Sequence, residues 1–242
     1  MRFFKNSNKR AIGLDIGSGS IKALELHDYQ GNISIANCRK LKLRAEGILD
    51  EEELSGSLSA WLDQADWRDL DICVGLPQYL STVQVRDFPP VSDDSLKDMI
   101  AYETAQLSGI SEESFIHDYH VMPPKFGSKN PVLIGISRLS VVIERLKILD
   151  RALVTPSDIA MNSTASINTL FHLHPEIRNV DSLQILLDIG AENSIVVIFA
   201  GGQILSISSL LFGAEKFTKA VAENKGLDLT KAEEEKTKLR ID

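Results

Sequence analysis

Gln184-Ile185-Leu186-Leu187-Asp188-Ile189-Gly190 is an apolar run that ends in a carboxylate and a glycine, and together with the twenty residues after it this run decides the fold. Asn193-Ser194 forms a small polar turn, Ile195 to Phe199 reads as a second strand, Gly201-Gly202 as another turn, and Gln203 to Ser209 as a third strand. The N-terminus repeats this design. Ala11 to Ile16 is an apolar run ending in Asp15-Ile16-Gly17-Ser18-Gly19, Ile21 to Leu26 alternates in polarity, Gln30-Gly31-Asn32 turns the chain, and Ile33 to Cys38 completes a three-stranded meander. The interval from Asp15 to Gly31 is close to that from Asp188 to Gly202. Copies this far apart are not solenoid units, which recur every ~20 to 50 residues. They predict two related domains facing one another across a cleft.

The stretch between the copies divides in two. Glu51 to Leu62 carries Leu54, Leu58, Trp61 and Leu62 at helical spacing, and Asp71 to Leu76 reads as a buried strand stopped by Pro77. From Ser81 the pattern changes to a strand over Thr82 to Phe88, a Pro89-Pro90 break, and a helix capped at Ser92 or Asp93 and running to about Leu107. Strands near Phe115 to Met122 and Pro131 to Ser137 come next, then a helix from about Leu139 to Leu153. Pro156 to Ile159 restarts a strand and Asn162 to His172 a helix. The expected organisation is a first domain over 1–80 plus 154–182, an inserted β-α-β-β-α module over 81–153, and the start of a second domain over 183–242.

A Gly- and Ser-rich turn at the end of a strand can aim successive backbone N–H groups at one point, which suits phosphate. An Asp just before it can hold Mg²⁺ through water, as a hard cation accompanying a nucleotide requires. Asp15 and Asp188 each stand there, and Lys22 adds a positive charge on the first side. One such turn reads equally well as an ordinary hairpin with a capping Asp. Two converging carboxylates repel unless a cation lies between them, so the pair predicts a metal-nucleotide site.

The 242 residues are 43% apolar, enough for a sizeable core, with a net charge of −8 and a pI near 5.2. That balance argues against neutralising a nucleic-acid backbone over a broad surface. Cys38 and Cys73 sit in strand-like runs without metal or disulfide spacing and read as reduced core thiols. The longest apolar stretch, around Ser194 to Ala200, is far below the ~20 residues that span a bilayer. Met1-Arg2-Phe3-Phe4-Lys5 is followed by polar residues instead of a signal core. The expected location is the cytoplasm.

Leu14-Asp15-Ile16-Gly17-Ser18-Gly19-Ser20-Ile21-Lys22 resembles the first phosphate motif of the actin, Hsp70 and sugar kinase superfamily, and Leu187-Asp188-Ile189-Gly190-Ala191 the second. Within that superfamily the chain resembles the PilM family of type IV pilus assembly proteins and, more distantly, the division protein FtsA. Gly75-Leu76-Pro77, Phe88-Pro89, Met99-Ile100-Ala101-Tyr102-Glu103, Asp118-Tyr119 with Val121, and Phe212-Gly213-Ala214-Glu215-Lys216-Phe217-Thr218 extend the likeness over nearly the whole chain. The resemblance implies an α/β fold: duplicated actin-like (ribonuclease H-like) domains with an inserted subdomain, C-terminally incomplete. The family continues past the point where Lys231 to Asp242 ends this sequence, through a glycine-rich adenosine motif.

The resemblance further implies ATP and Mg as cofactors. On the first side the nucleotide would meet Asp15, Gly17, Ser18, Gly19, Ser20 and Lys22; on the second, Asp188, Gly190 and Asn193. The implied partner is the N-terminal cytoplasmic tail of a bitopic, PilN-like inner-membrane protein, met beside the inserted module with Ile100 and Glu103 as candidate contacts; self-association is a further expectation. Asn162, between the two domains, can orient water but is a poor general base, so at most slow hydrolysis is expected. The competing readings are a sugar- or acetate-type kinase and an FtsA-like filament protein, both on the same fold. His117-Asp118-Tyr119-His120 and His172-Leu173-His174 lack zinc spacing, Ser137 and Ser140 lack a nucleophile-elbow context, and Glu233-Glu234-Glu235-Lys236 reads as a solvated helix face.

Overall fold

A computed structural model describes residues 9–43, 51–111 and 114–238, excepting the side chains of 107–111. The opening Met1 to Lys5 and the last residues of the Lys231 to Asp242 stretch lie outside the described residues.

The first repeat folds as the meander its polarity dictates: β1 (Lys9–Ile16), β2 (Ser20–Tyr29) and β3 (Asn32–Lys42), all antiparallel. β4 (Asp71–Leu76) and β8 (Asp158–Met161) add in parallel, giving the order β3-β2-β1-β4-β8. Helix α1 (Glu51–Ala65) supplies the crossover from β3 to β4 and lays Leu58 and Leu62 into a core with Ile12, Leu14, Ile21, Ile72 and Val74. Trp67 closes that core edge-on to Trp61. Its Nε1 donates to the buried Glu25 carboxylate at 2.8 Å, and Arg10 and His27 donate to the same group. Burial alone would raise the pKa of Glu25; the hydrogen bonds from Trp67, His27 and Arg10 outweigh it and hold it at about 2.

The second repeat is β9 (Gln184–Ile189), β10 (Ser194–Ala200) and β11 (Gln203–Leu210), a three-stranded antiparallel sheet in the order β11-β10-β9. Both repeats turn their second hairpin with two residues of positive φ, Gln30-Gly31 (54° and 88°) and Gly201-Gly202 (52° and 72°). That pair of conformations matches the twist of the flanking strands, and glycine adopts it without strain. Two helices come after β11: α5 (Ala214–Lys225) and α6 (Leu229–Lys238). The alternate residues Ile185, Leu187 and Ile189 of β9 share one face and are about half exposed or more, at 67%, 52% and 49%.

The 81–153 segment contains the expected elements: β5 (Ser81–Asp87), α2 (Asp93–Ser111), β6 (Phe115–Val121), β7 (Pro131–Arg138) and α3 (Leu139–Arg151). Its sheet runs β5-β7-β6, and the Ser95 N–H donates to Ser92 Oγ at the start of α2. The segment packs in three directions. α2 covers one sheet face through Leu96 and Ile100. On the other side Val83 and Met122 join Ile167 and Phe171 of α4 (Asn162–Leu173) and Val197, Phe199, Ile204 and Ile207 of the second repeat. Helix α3 packs against α1, and Leu149, Ala152 and Val154 belong to the core of the first sheet.

Two sequence expectations fail on burial. Cys38 is exposed, because β3 is the edge strand of its sheet and residue 38 points to its open face; Cys73 is half-buried. Burial, with the charge of Asp158, pushes the Cys73 thiol up. Ile100 is fully buried against Val132, Ile134 and Ile136 and is not available to a partner. The apolar positions Leu96, Met99 and Ile100 recur at helical spacing because they face the sheet. Glu103, about one turn further along α2, is half-buried and lies 3.9 Å from Arg86.

Candidate functional site

Each repeat ends its first strand in the same closed turn. In the first, the Gly17 N–H donates to the Ser20 carbonyl at 3.1 Å; in the second, the Gly190 N–H donates to the Asn193 carbonyl at 2.9 Å. A Cβ at Gly190 would lie 2.7 Å from that carbonyl, so only glycine closes the turn this tightly. The chain folds the two turns onto one another: a Cβ on Gly19 would stand 3.0 Å from the Ala191 Cβ. The second turn is braced from behind, where the Ala214 and Glu215 N–H groups at the start of α5 donate to the Gly190 and Ala191 carbonyls, each at 2.9 Å. Gly213 permits that approach, since a Cβ there would fall 2.3 Å from the Ala191 oxygen. Ser194 Oγ ties the turn to the Phe212 carbonyl.

The cleft between the turns is lined by Asp15, Gly17, Ser18, Gly19, Ser20 and Lys22 from the first side, and by Asp188, Gly190 and Asn193 from the second. The nine nucleotide-site residues expected from sequence therefore share one cavity. Sequence reasoning did not pick out Gln78, Tyr79 and Glu192, which also line it. Gln78 and Tyr79 lie in a short 3₁₀ turn just after the Gly75-Leu76-Pro77 stretch, the one local signal that marked them.

Asp15 is held at both oxygens. Lys22 Nζ lies 3.2 Å from Oδ2, and Asn162 Nδ2 donates to Oδ1 at 3.1 Å. Asn162 opens α4 and sits against strand β4, in space that exists because residue 75 is glycine: a Cβ there would be 2.1 Å from Asn162 Oδ1. Asp188 has a looser contact, Ser166 Oγ at 3.5 Å. The Lys22–Asp15 pair is exposed, worth at most about 1 kcal/mol, so Lys22 is released to another anion at little cost.

The cavity encloses about 140 Å³, below the ~300 Å³ at which pockets for whole drug-sized ligands begin. With two glycine turns, two carboxylates and a lysine, its chemistry fits a polyphosphate with a hard cation. Among the described residues no group of three or more His, Cys, Asp or Glu is placed to hold a metal by protein ligands alone. A cation here would need phosphate or water oxygens as well.

Comparison with known proteins agrees with this geometry. No curated protein sequence matches the chain at a significant level. Among solved structures, the PilM-PilN type IV pilus biogenesis complex matches with a TM-score of 0.79 at 20% identity, over 94% of this chain and 69% of that one. A Bacteroides thetaiotaomicron protein with an actin-like ATPase fold and unknown function matches with a TM-score of 0.51 at 12% identity, over 92% of this chain and 79% of that one. The ethanolamine utilization protein EutJ from Carboxydothermus hydrogenoformans gives 0.50 at 10% identity, over 95% and 61%. These likenesses establish the fold as that of the actin-like ATPases. The profile of the family described as type IV pilus assembly protein PilM matches residues 13–241, and the chain belongs to that family.

Proposed function

We propose that the chain is a cytoplasmic, nucleotide-binding scaffold of the type IV pilus machine, kept at the inner face of the inner membrane by the N-terminal tail of a bitopic PilN-like protein. The observation that carries the nucleotide half is the meeting of the two Asp-Ile-Gly turns at Gly19 and Ala191. Mg²⁺ would be held through water by Asp15 and Asp188, and the phosphates by the backbone N–H groups of both turns and by Lys22. A nucleotide held by these residues would join the two repeats and act as a structural ligand if it favoured the closed cleft. Asn162 is engaged with Asp15 and is a poor base, which accords with slow turnover at most.

The partner half rests on the complex that the chain resembles, in which PilM is paired with PilN. Among the described residues no helix is long and apolar enough to cross a membrane. The surface that fits an apolar peptide tail is on α3. Leu139, Ile143 and Leu146 form a stripe at successive turns, 36%, 41% and 37% exposed, on a helix that bridges α1 and the inserted sheet. A synthetic peptide copying the tail is expected to bind in calorimetry, and Ile143→Glu or Leu146→Glu to abolish that binding while Glu103→Lys on α2 leaves it intact. Loss with Glu103→Lys and retention with both α3 variants would move the surface to α2.

A further inference from the structure

Helices α1, α3 and α5 are each followed by a residue of positive φ: Asp66 (55°), Leu153 (58°) and Gly226 (63°). Glycine takes this left-handed conformation freely, and Asp tolerates it because its short polar side chain can bond locally. In leucine the Cβ crowds the backbone, so Leu153 stands where glycine would relieve strain. Burial does not offset that cost. Leu153 is 77% exposed, as much as any large apolar residue among those described.

The surrounding structure imposes the conformation. The Leu153 N–H donates to the Asp150 carbonyl at 2.9 Å and the Val154 N–H to the Leu149 carbonyl at 2.8 Å. These bonds close the helix end over Leu149 and Val154, which are buried in the first core. From α1's side, Arg68 Nη1 donates to the carbonyls of Ala152 (3.0 Å) and Leu153 (3.3 Å), and Nη2 to the carbonyl (3.2 Å) and hydroxyl (2.7 Å) of Ser59. Asp63 pairs with the same guanidinium. Backbone strain that persists because its surroundings over-determine it tends to cluster where a protein binds something.

We propose that Leu153 is an apolar anchor for the partner's tail, held outward in a strained conformation at the end of the α3 surface. The inference rests on the partner reading and deepens it. Leu153 follows the helix that carries the exposed Leu139, Ile143 and Leu146, at the same seven-residue interval that separates Leu139 from Leu146. The contact it offers is apolar, because Arg68, the cation beside it, is already engaged by Asp63 and four backbone or hydroxyl oxygens. A side chain fixed in place before binding loses little freedom on contact, so its burial goes directly into affinity. Without the partner Leu153 is a liability to stability, and with the partner it contributes to binding.

The test compares the wild type with Leu153→Gly, Leu153→Asn and Leu153→Met by thermal melting alone and by calorimetry with the synthetic tail peptide. Leu153→Gly and Leu153→Asn relieve the strain and are expected to melt about 2–4 °C higher than the wild type. Both lack the apolar anchor and are expected to bind the peptide about tenfold more weakly. Leu153→Met, equally strained and still apolar, is expected to keep the wild-type melting temperature and to bind within about threefold of wild type. Wild-type affinity in both Leu153→Gly and Leu153→Asn would overturn the inference. So would a lower melting temperature in both, which would make the leucine a structural group. If the wild type itself binds no peptide, the partner reading falls and this inference falls with it.

Discussion

The two glycine turns share a backbone and differ in what surrounds their carboxylates. In β-ladder register, Asp15 stands opposite Lys22 and Asp188 opposite Ile195. Further along, Glu25 and Ile198 hold matching places, each immediately before a bulge in its strand. The first repeat has therefore placed Lys22 and Glu25 where the second has isoleucines. Asp15 is gripped by Lys22 and Asn162, while Asp188 touches only Ser166 at 3.5 Å among the described residues. The lesson is that the duplicated turn repeats one backbone geometry, whereas the side-chain contacts to its carboxylate are concentrated on the first side. The second turn is braced through backbone contacts from α5, and its carboxylate has the looser side-chain contact.

The largest effect expected from this asymmetry is on metal-dependent binding. Asp15→Asn removes a carboxylate that, on the proposed reading, would hold Mg²⁺ through water, and should weaken Mg-ATP binding by up to about a hundredfold in calorimetry. An unchanged affinity would mean that the gripped Asp15 is structural.

Next comes the seat of Asn162. Gly75→Ala puts a methyl group into the Asn162 amide and should cost about 1–3 kcal/mol in thermal or denaturant unfolding. Adding Asn162→Ala should recover most of that loss; failure to recover would place the strain elsewhere in β4.

The Glu25 cluster gives a pH signature confined to the first repeat. Its carboxyl is depressed in the folded protein from an ordinary value of 4.5 to about 2. The unfolded chain therefore takes up the proton first on acidification. The stabilisation is present in full above pH ~4.5 and is lost as the pH falls toward about 2. Between those limits the wild type should lose about 2–3 kcal/mol that Glu25→Gln, less stable at neutral pH, does not lose. Parallel acid profiles for the two proteins would remove Glu25 as the source of the effect.

The smallest effect is at Lys22. Its exposed pairing with Asp15 contributes little to folding, so Lys22→Ala should leave the melting temperature nearly unchanged and weaken Mg-ATP binding by about tenfold or less. A large drop in stability would show that the pair braces the first turn.

The repeats themselves were legible in sequence because a strand's polarity alternates and because glycine marks each turn. Their meeting across a cleft could be expected from the recurrence of Asp-Ile-Gly. Asn162 and Tyr79 could not be placed with equal force, since their positions in the cleft arise from contacts between distant segments. Asn162 owes its position to an absent side chain at Gly75. Ile100 illustrates the opposite error. Its own spacing with Leu96 already marked it as core, and the expectation of a partner contact came from the family likeness alone.

The most direct test of a shared metal-nucleotide site is a double-mutant cycle on Mg-ATP affinity, comparing wild type, Asp15→Asn, Asp188→Asn and the double variant by calorimetry. If both turns hold one metal-nucleotide, the double variant should bind scarcely more weakly than the worse single variant, and removing Mg²⁺ should abolish the differences. Additive losses, or losses indifferent to Mg²⁺, would contradict a shared site.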